Sequence, residues 1–422
     1  MKSRLQEKLN SYGENFWDFV NIKRDGIHKL ANYPAMMVAP MQQRLIEDIC
    51  LNENNISNIF DPFHGSGTTL VEGKRLNLDL IGIDINPLAN LITKVKIEGV
   101  NLNTIPNSIK EVVNNIRNLS ESKVEPFSFD KIDKWFRKDI IRDLTILRKS
   151  IILEKDDKNR LYFWVCLSDI IRKYSNTRSS TYKLHIKEKE KILNMENRVI
   201  EDFIYSISIN YEYLEPADKI NYEIIQGDSL IEMKKMNSES IDLICTSPPY
   251  GDNGTTVTYG QFSILSLFWI DKKDINLSDN ILLSNYSAID SSSLGGKKRY
   301  LAIDSYLPLL SNTISKITLK KQSKVISFFD DYFKSLDEMI RVLKKDHLII
   351  LTLGNRRVDN VEIKLDEITK EYCLENGMSL EAKLKREIPR KRMPRKISRI
   401  KNHGAVSSMN KETVLILRKK GE

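Results

Sequence analysis

Apolar and polar positions along the chain follow two rhythms. Short apolar runs recur at 56–60, 80–83, 222–226 and 241–245, and each stops at a polar turn: Asp61, Asp84, Asp228 and Thr246 follow them. Runs of that length bounded by turn residues predict buried strands. Between the first two lies a helical stretch, 70–76, so the unit reads strand, loop, helix, strand. From 101 to 215 the pattern changes to long charged segments of helical period, 109–119, 139–153, 161–174 and 187–205. Residues 1–50 read as helical around an extended interruption at 31–37, with a second helix over 41–50. Further on, the pattern predicts a helix over 262–270, a mobile polar loop over 272–300, a helix over 325–343, and strands over 347–352 and 412–418. Together these predict an α/β fold: a doubly wound, mostly parallel, Rossmann-like sheet carrying a largely helical insertion. The expected division is 1–100 and 216–422 as two parts of one catalytic domain, with 101–215 inserted between them.

Composition narrows the class. The 422 residues are 41% hydrophobic and 29% charged, an ordinary balance for a packed protein. No apolar run approaches the roughly 18 residues of a membrane span, and the first residues lack an apolar signal core, so the cytoplasm is the expected location. Four scattered cysteines and five histidines without ligand spacing indicate neither a disulfide framework nor a metal site. Net charge is +9 and unevenly spread. Lys383, Lys385, Arg386, Arg390, Lys391, Arg392, Arg395, Lys396, Arg399 and Lys401 stand against Glu387 alone. Such density suits a polyanion, although a solvated basic face is the plain alternative. The stretch from Arg172 to His185, with Arg178 and Lys183, mixes cations, hydroxyls and aromatics without acids, and Lys297-Lys298-Arg299 is a short run of cations that a nucleic acid could also meet. Phosphate contacts and base stacking fit the first of these, and so does an exposed loop.

The candidate chemistry sits where strands end. Thr246-Ser247-Pro248-Pro249-Tyr250 follows a buried run, and its prolines stop the strand because neither can donate to a sheet ladder. The loop offers a serine hydroxyl, backbone carbonyls and an aromatic ring, which suit a planar group bearing an amine. A surface turn would also use Pro-Pro. The run Asp61-Pro62-Phe63-His64-Gly65-Ser66-Gly67-Thr68 has two glycines that let the backbone turn and approach a ligand closely. It lacks the third glycine of a dinucleotide loop and the Gly-Lys-Ser/Thr of a phosphate loop, so a nucleoside without phosphates fits better. Asp84, at the end of its strand, is suited to ribose hydroxyls, because Asn86-Pro87 already begins the next helix. Asp228 is a second candidate carboxylate.

These residues together resemble the amino-methylating DNA methyltransferases that use S-adenosyl-L-methionine. Asp61 to Thr68 looks like their cofactor motif, Asp84 like the acid that follows it, and Ser247-Pro248-Pro249-Tyr250 like their catalytic motif. Tyr33-Pro34-Ala35 resembles the upstream segment that completes the cofactor pocket. Serine ahead of Pro-Pro-Tyr is similar to the cytosine-N4 branch, where aspartate is usual for adenine-N6. The cofactor motifs precede the catalytic motif here, whereas many relatives of that branch have the reverse order, which leaves the target-reading region to be assigned; the helical insertion is favoured.

The resemblance implies transfer of a methyl group to the N4 amine of a cytosine flipped out of double-stranded DNA. Ser247 and a loop carbonyl would accept the amine hydrogens while Tyr250 stacks on the base. A restriction endonuclease acting separately would be the implied partner; no oligomeric state is implied. Adenine-N6 or RNA methylation and a non-catalytic DNA-binding subunit are the rival readings. Cytosine-C5 chemistry would need a cysteine nucleophile, and Cys245, on the strand, reads as core packing.

Overall fold

A computed structural model describes residues 4–13, 15–20, 22–215, 220–254, 256–277, 280–297, 307–388 and 411–421. Among the described residues, seven strands form the main sheet: β1 Asn58–Asp61, β2 Asp79–Asp84, β3 Tyr222–Gln226, β4 Ile241–Thr246, β5 Leu343–Gly354, and, beyond a small hairpin of β6 Arg356–Val358 and β7 Val361–Ile363, β8 Met378–Glu387 and β9 Lys411–Lys419. Their order is β3-β2-β1-β4-β5-β9-β8. The first five are parallel, with Phe60 opposite both Ile81 and Ile244, and β9 runs antiparallel to β5 and to β8.

This topology makes a site. The chain winds outward from β1 to β3 and returns to lay β4 against the other side of β1. Asp61 and Thr246 therefore end side by side at the switch point, where open parallel sheets leave a crevice beyond their carboxyl ends.

Strand alternation sends side chains to two cores. Ile59, Leu243, Cys245, Ile350 and Ile416 pack on one face, and Phe60, Ile244, Ile349, Leu351 and Leu415 on the other. The second face is covered by helix Leu319–Val342 through Phe328, Phe329, Tyr332 and Leu336. The first is covered by helices Thr68–Arg75 and Pro87–Glu98, and Tyr259–Trp269, whose residues are apolar nearly all round, packs between Pro87–Glu98 and Asp157–Tyr174, as befits a helix enclosed on all sides. Helices Ile105–Glu121, Lys138–Ile152, Asp157–Tyr174 and Val199–Ile209 extend that same core, with Leu144, Tyr162, Trp164 and Phe203 fully buried in it. The stretch 101–215 is thus continuous with the sheet's packing.

Several expectations change. Among the described residues, helix Arg4–Asn10 is followed by 3-10 turns until Ala39–Asn52, and Asn15 and Phe19 take positive φ of 65° and 46° that α-helix cannot contain. The segment 187–205 breaks between Leu193 and Val199. The polar stretch expected to be a mobile loop is folded over 280–297, with Ile289, Asp290 and Leu294 buried. The start of the basic run is strand β8, where Lys383 bonds Asp366 at 2.9 Å and Arg386 bonds Glu412 at 2.8 Å, so these cations answer acids of the protein itself. Arg390, Lys391, Arg392, Arg395, Lys396, Lys298 and Arg299 lie outside the described residues. No helix among the described residues is long and apolar enough to cross a membrane.

Candidate active site

The glycine loop grows from the end of β1. Asp61 is completely buried, and its Oδ1 accepts from the Phe63 amide at 3.0 Å and from the Thr246 hydroxyl at 2.6 Å. Burial raises its carboxyl pKa to about 6. Gly65 takes φ +51°, a conformation that favours glycine, and Gly67 takes φ +76° as it opens helix Thr68–Arg75. A Cβ on Gly67 would also meet Thr93 at 2.7 Å. Beneath the loop, the Lys96 ammonium donates to Ser66 O at 2.8 Å, and His64 is held against Asn90 at 3.1 Å.

Asp84 joins the loop to the next strand. One of its oxygens accepts from the Gly65 amide at 2.9 Å and the other from Asn86 at 2.8 Å. Asn86, not Asp84, caps helix Pro87–Glu98. Burial pushes the Asp84 carboxyl up, while His64 and the two amides oppose that rise. Asn86 Nδ2 donates to the Tyr33 hydroxyl at 2.9 Å and to Ser263 Oγ at 2.8 Å, and Tyr33 stacks on Tyr259. This seats Tyr33-Pro34-Ala35 against the same crevice.

On the other side, Ser247 Oγ lies 3.2 Å from the Tyr250 hydroxyl, which donates to Glu412 Oε1 at 3.1 Å. Burial and the Glu412 carboxylate hold the Tyr250 phenol well above its usual range, so it stays protonated. Cys245 lies on the strand within the core, where burial pushes its thiol up and Gln42 Oε1 accepts from it at 3.1 Å.

These elements enclose a cavity of about 370 Å³, within the roughly 300–1,000 Å³ of small-molecule sites. Tyr33, Pro34, Ala35, Phe63, Gly65, Thr68, Asp84 and Asp228 line it, together with Ser247 and Pro249. Asp61, Gly67, Pro248 and Tyr250, also singled out by the sequence, are not among its lining residues. The donor set fits a nucleoside: a backbone free to approach at Gly65, carboxylates at Asp84 and Asp228, and no phosphate-loop lysine. Asp228 also caps helix Ser229–Met233 by accepting from Leu230 at 2.9 Å.

One wall escaped sequence reasoning. Ile289, Ser291, Leu294 and Lys297 line the cavity from the folded 280–297 segment. Asp290 fastens it by accepting from the amides of Gly260 and Gln261, at 2.9 and 3.0 Å, and the Gly295 amide donates to Asp331 at 2.9 Å. Lys297, expected on DNA, therefore stands on the wall near Asp228. Tyr259 and Asn253 also line it, and nothing local in the sequence marks either.

The other candidate cations divide. Arg172 is turned inward, its guanidinium 4.5 Å from the Phe262 ring and bonded to Thr181 O at 2.8 Å, and burial lowers its pKa to about 10. Arg178 is exposed. Lys183 donates to Gly254 O at 3.1 Å, which ties the 175–188 loop to the chain just past the proline loop.

The family model for DNA methylases matches residues 1–95 of the chain. The chain is 30% identical to Type II methyltransferase M.MvaI of Kocuria varians across 98% of its own length and 96% of that protein's. The chain belongs to the N6/N4 family of DNA methylases. It is also 26% identical to Type II methyltransferase M.BsoBI of Geobacillus stearothermophilus over 58% of this chain and 52% of that one. A shorter match, 30% identical over 96 residues, is to Type II methyltransferase M.MjaII of Methanocaldococcus jannaschii, covering 22% of this chain and 18% of the relative. A DNA methylase needs DNA and a methyl donor; its Rossmann-like sheet holds the glycine loop and the proline loop at one end.

Proposed function

We propose that this methylase transfers a methyl group to the N4 amine of cytosine at specific sites in double-stranded DNA, with S-adenosyl-L-methionine as donor. The observation that carries the reading is that Ser247 lines the same cavity as Gly65 and Asp84. A nucleoside donor held at the glycine loop would thus lie beside a hydroxyl suited to an amine. Asp84 and Asp228 would accept its hydroxyl and amino hydrogens, Gly65 would let the backbone approach, and Tyr33-Pro34-Ala35 would close over it.

When bound, that donor supplies a methyl group on a cationic sulfur. An exocyclic amine is a weak nucleophile because its lone pair is delocalised into the ring. Ser247 Oγ and a loop carbonyl accept the two amine hydrogens and turn the lone pair toward the methyl carbon. Transfer would form a nitrogen–carbon bond as the donor's carbon–sulfur bond breaks, the electron pair staying on sulfur, which would leave as a neutral thioether, and the proton lost from nitrogen would pass to solvent. The protein's part is alignment plus fixed dipoles. A duplex hides the amine, so the base leaves the stack, and the half-buried Tyr250 ring receives it. Serine ahead of Pro-Pro-Tyr supports cytosine over adenine. The 175–188 loop, beside the proline loop, reads the target, with the basic run toward 401 on the phosphates. The enzyme acts in the cytoplasm, alongside a separate restriction endonuclease.

The test incubates the chain with methyl-labelled donor and unmethylated DNA, digests to nucleosides and identifies the labelled base. Label in N4-methylcytosine supports the reading. Label in N6-methyladenine overturns the base assignment and keeps the amine chemistry.

A further inference from the structure

Ser247, Tyr250, Glu412 and Arg386 form one hydrogen-bonded chain from the cavity to the far edge of the sheet. Ser247 Oγ and Tyr250 Oη are 3.2 Å apart, Tyr250 Oη donates to Glu412 Oε1 at 3.1 Å, and Arg386 Nη1 donates to Glu412 Oε2 at 2.8 Å. Arg386 and Glu412 are directly opposite each other on β8 and β9, and Arg386 is only 6% exposed. Residues far apart in sequence thus meet behind the serine that faces the cavity.

The chemistry of these groups fixes the direction of every hydrogen. A guanidinium only donates and a carboxylate only accepts, so Arg386 occupies one oxygen of Glu412 and the other is left as an acceptor. The phenol of Tyr250 has a single hydrogen, and it goes to Glu412. Tyr250 can then only accept from Ser247. Ser247 also has a single hydrogen, and once Tyr250 takes it only lone pairs face the cavity.

We infer that Glu412 is a positioning residue which, through Tyr250, sets Ser247 as a hydrogen-bond acceptor toward the target base. The site thereby favours a base with an amino group at the reacting position over one with a carbonyl there. A carbonyl would bring lone pairs against lone pairs. The inference rests on the proposed contact between Ser247 and the amine.

Glu412→Gln tests it in the full-length chain. The amide turns its oxygen to Arg386, which leaves its NH₂ pointing at Tyr250. Tyr250 must then donate to Ser247, and Ser247 must present its hydrogen to the cavity. The expected result is a fall in kcat of about 30-fold or more, with affinities for S-adenosyl-L-methionine and for DNA within about 2-fold. Tyr250→Phe cuts the link while leaving the Arg386–Glu412 pair. In that background Glu412→Gln should add less than about 2-fold, because coupled residues do not add. An equal loss in both backgrounds would assign Glu412 a merely structural role and overturn the inference. Should Glu412→Gln fail to fold, Tyr250→Phe alone decides: it should lose about 10-fold in kcat as Ser247 becomes free to rotate, and full activity would overturn the proposal. No amine labelling by the unaltered chain would bring down the underlying reading, whereas an active unaltered chain matched by both variants would bring down this inference alone.

Discussion

Thr246 donates its hydroxyl to Asp61 across 2.6 Å, so the last residue of β4 is bonded to the last residue of β1. Each of these residues opens a functional loop, one toward the glycines and one toward Pro-Pro-Tyr. A buried hydrogen bond thereby ties together the two loops that, on the proposed reading, hold the donor and the base. Methyl transfer between them would then be sensitive to their separation, because near-attack geometry tolerates little misplacement.

The burial of Asp61 has a pH signature, which the Thr246 bond opposes. The Asp61 carboxyl titrates at about 6 in the fold against 3.8 ordinarily, because burial disfavours its charge. Between those values the folded chain holds a proton that the unfolded chain has released. Its contribution to stability is therefore full below about pH 3.8 and is lost as pH rises to about 6. Asp61→Asn does not titrate. The unfolding free energy of the unaltered chain minus that of the variant should fall by up to ~1.4 kcal/mol per pH unit across this window and flatten above it. Urea unfolding of both proteins at several pH values reads it; a difference independent of pH would remove the assignment.

Ser247→Ala and Tyr250→Ala separate chemistry from donor binding. Only Ser247 of the two lines the cavity, and neither belongs to its glycine-loop side. Donor affinity measured by calorimetry should stay within about 2-fold, while single-turnover methylation falls about 10²-fold or more. Full turnover in both variants would refute the roles given to this loop.

The readable parts of the site are those where a residue type dictates its own backbone. Gly65 and Gly67 need positive φ, and Pro248-Pro249 must end a strand, so both loops were legible with their flanking strands. Asn86-Pro87 likewise announced a helix start that left Asp84 to face the crevice. The 280–297 wall was hidden because its order depends on Asp290 reaching the amides of Gly260 and Gln261, about which local composition says nothing. Strand β8 was hidden for a related reason. Lys383 and Arg386 look solvated until Asp366 and Glu412 are brought beside them.

Asp84→Ala should weaken the donor twice over. It removes an acceptor from the cavity and frees the amides of Gly65 and Asn86 that the carboxylate now holds. Hydrogen bonds to a charged group are worth about 1.5–3 kcal/mol each, so donor Kd should rise at least 10-fold. Unchanged affinity in a titration followed by intrinsic fluorescence would withdraw Asp84 from the donor site.

Asp290→Ala should loosen the wall. Its two oxygens satisfy the first amides of helix Tyr259–Trp269, and its loss leaves them unpaired in a buried setting. A stability loss of about 2 kcal/mol is expected by denaturant titration. Hydrogen exchange should quicken in 280–297 more than in β5; equal protection there would show that Asp290 does not hold the wall.

Arg172 and Arg178 stand six residues apart and should fail differently. The exposed Arg178 donates its Nε to Ile186 O at 3.2 Å and presents the rest of its guanidinium to solvent, where it can meet a phosphate, and each such contact contributes about 0.9 to the slope of log affinity against log salt. Arg178→Ala should weaken DNA binding at low salt and flatten that slope by about one contact, with the melting temperature unchanged. Arg172 instead packs on Phe262 and holds Thr181 O, so Arg172→Ala should lower the melting temperature and release the 175–188 loop. Its salt slope should stay that of the unaltered chain under conditions where the variant is folded. Binding isotherms across a salt series, run beside thermal melts, separate the two. A flattened slope in Arg172→Ala without loss of stability would mean that this side chain reaches DNA, and the loop would then have to open to let it do so.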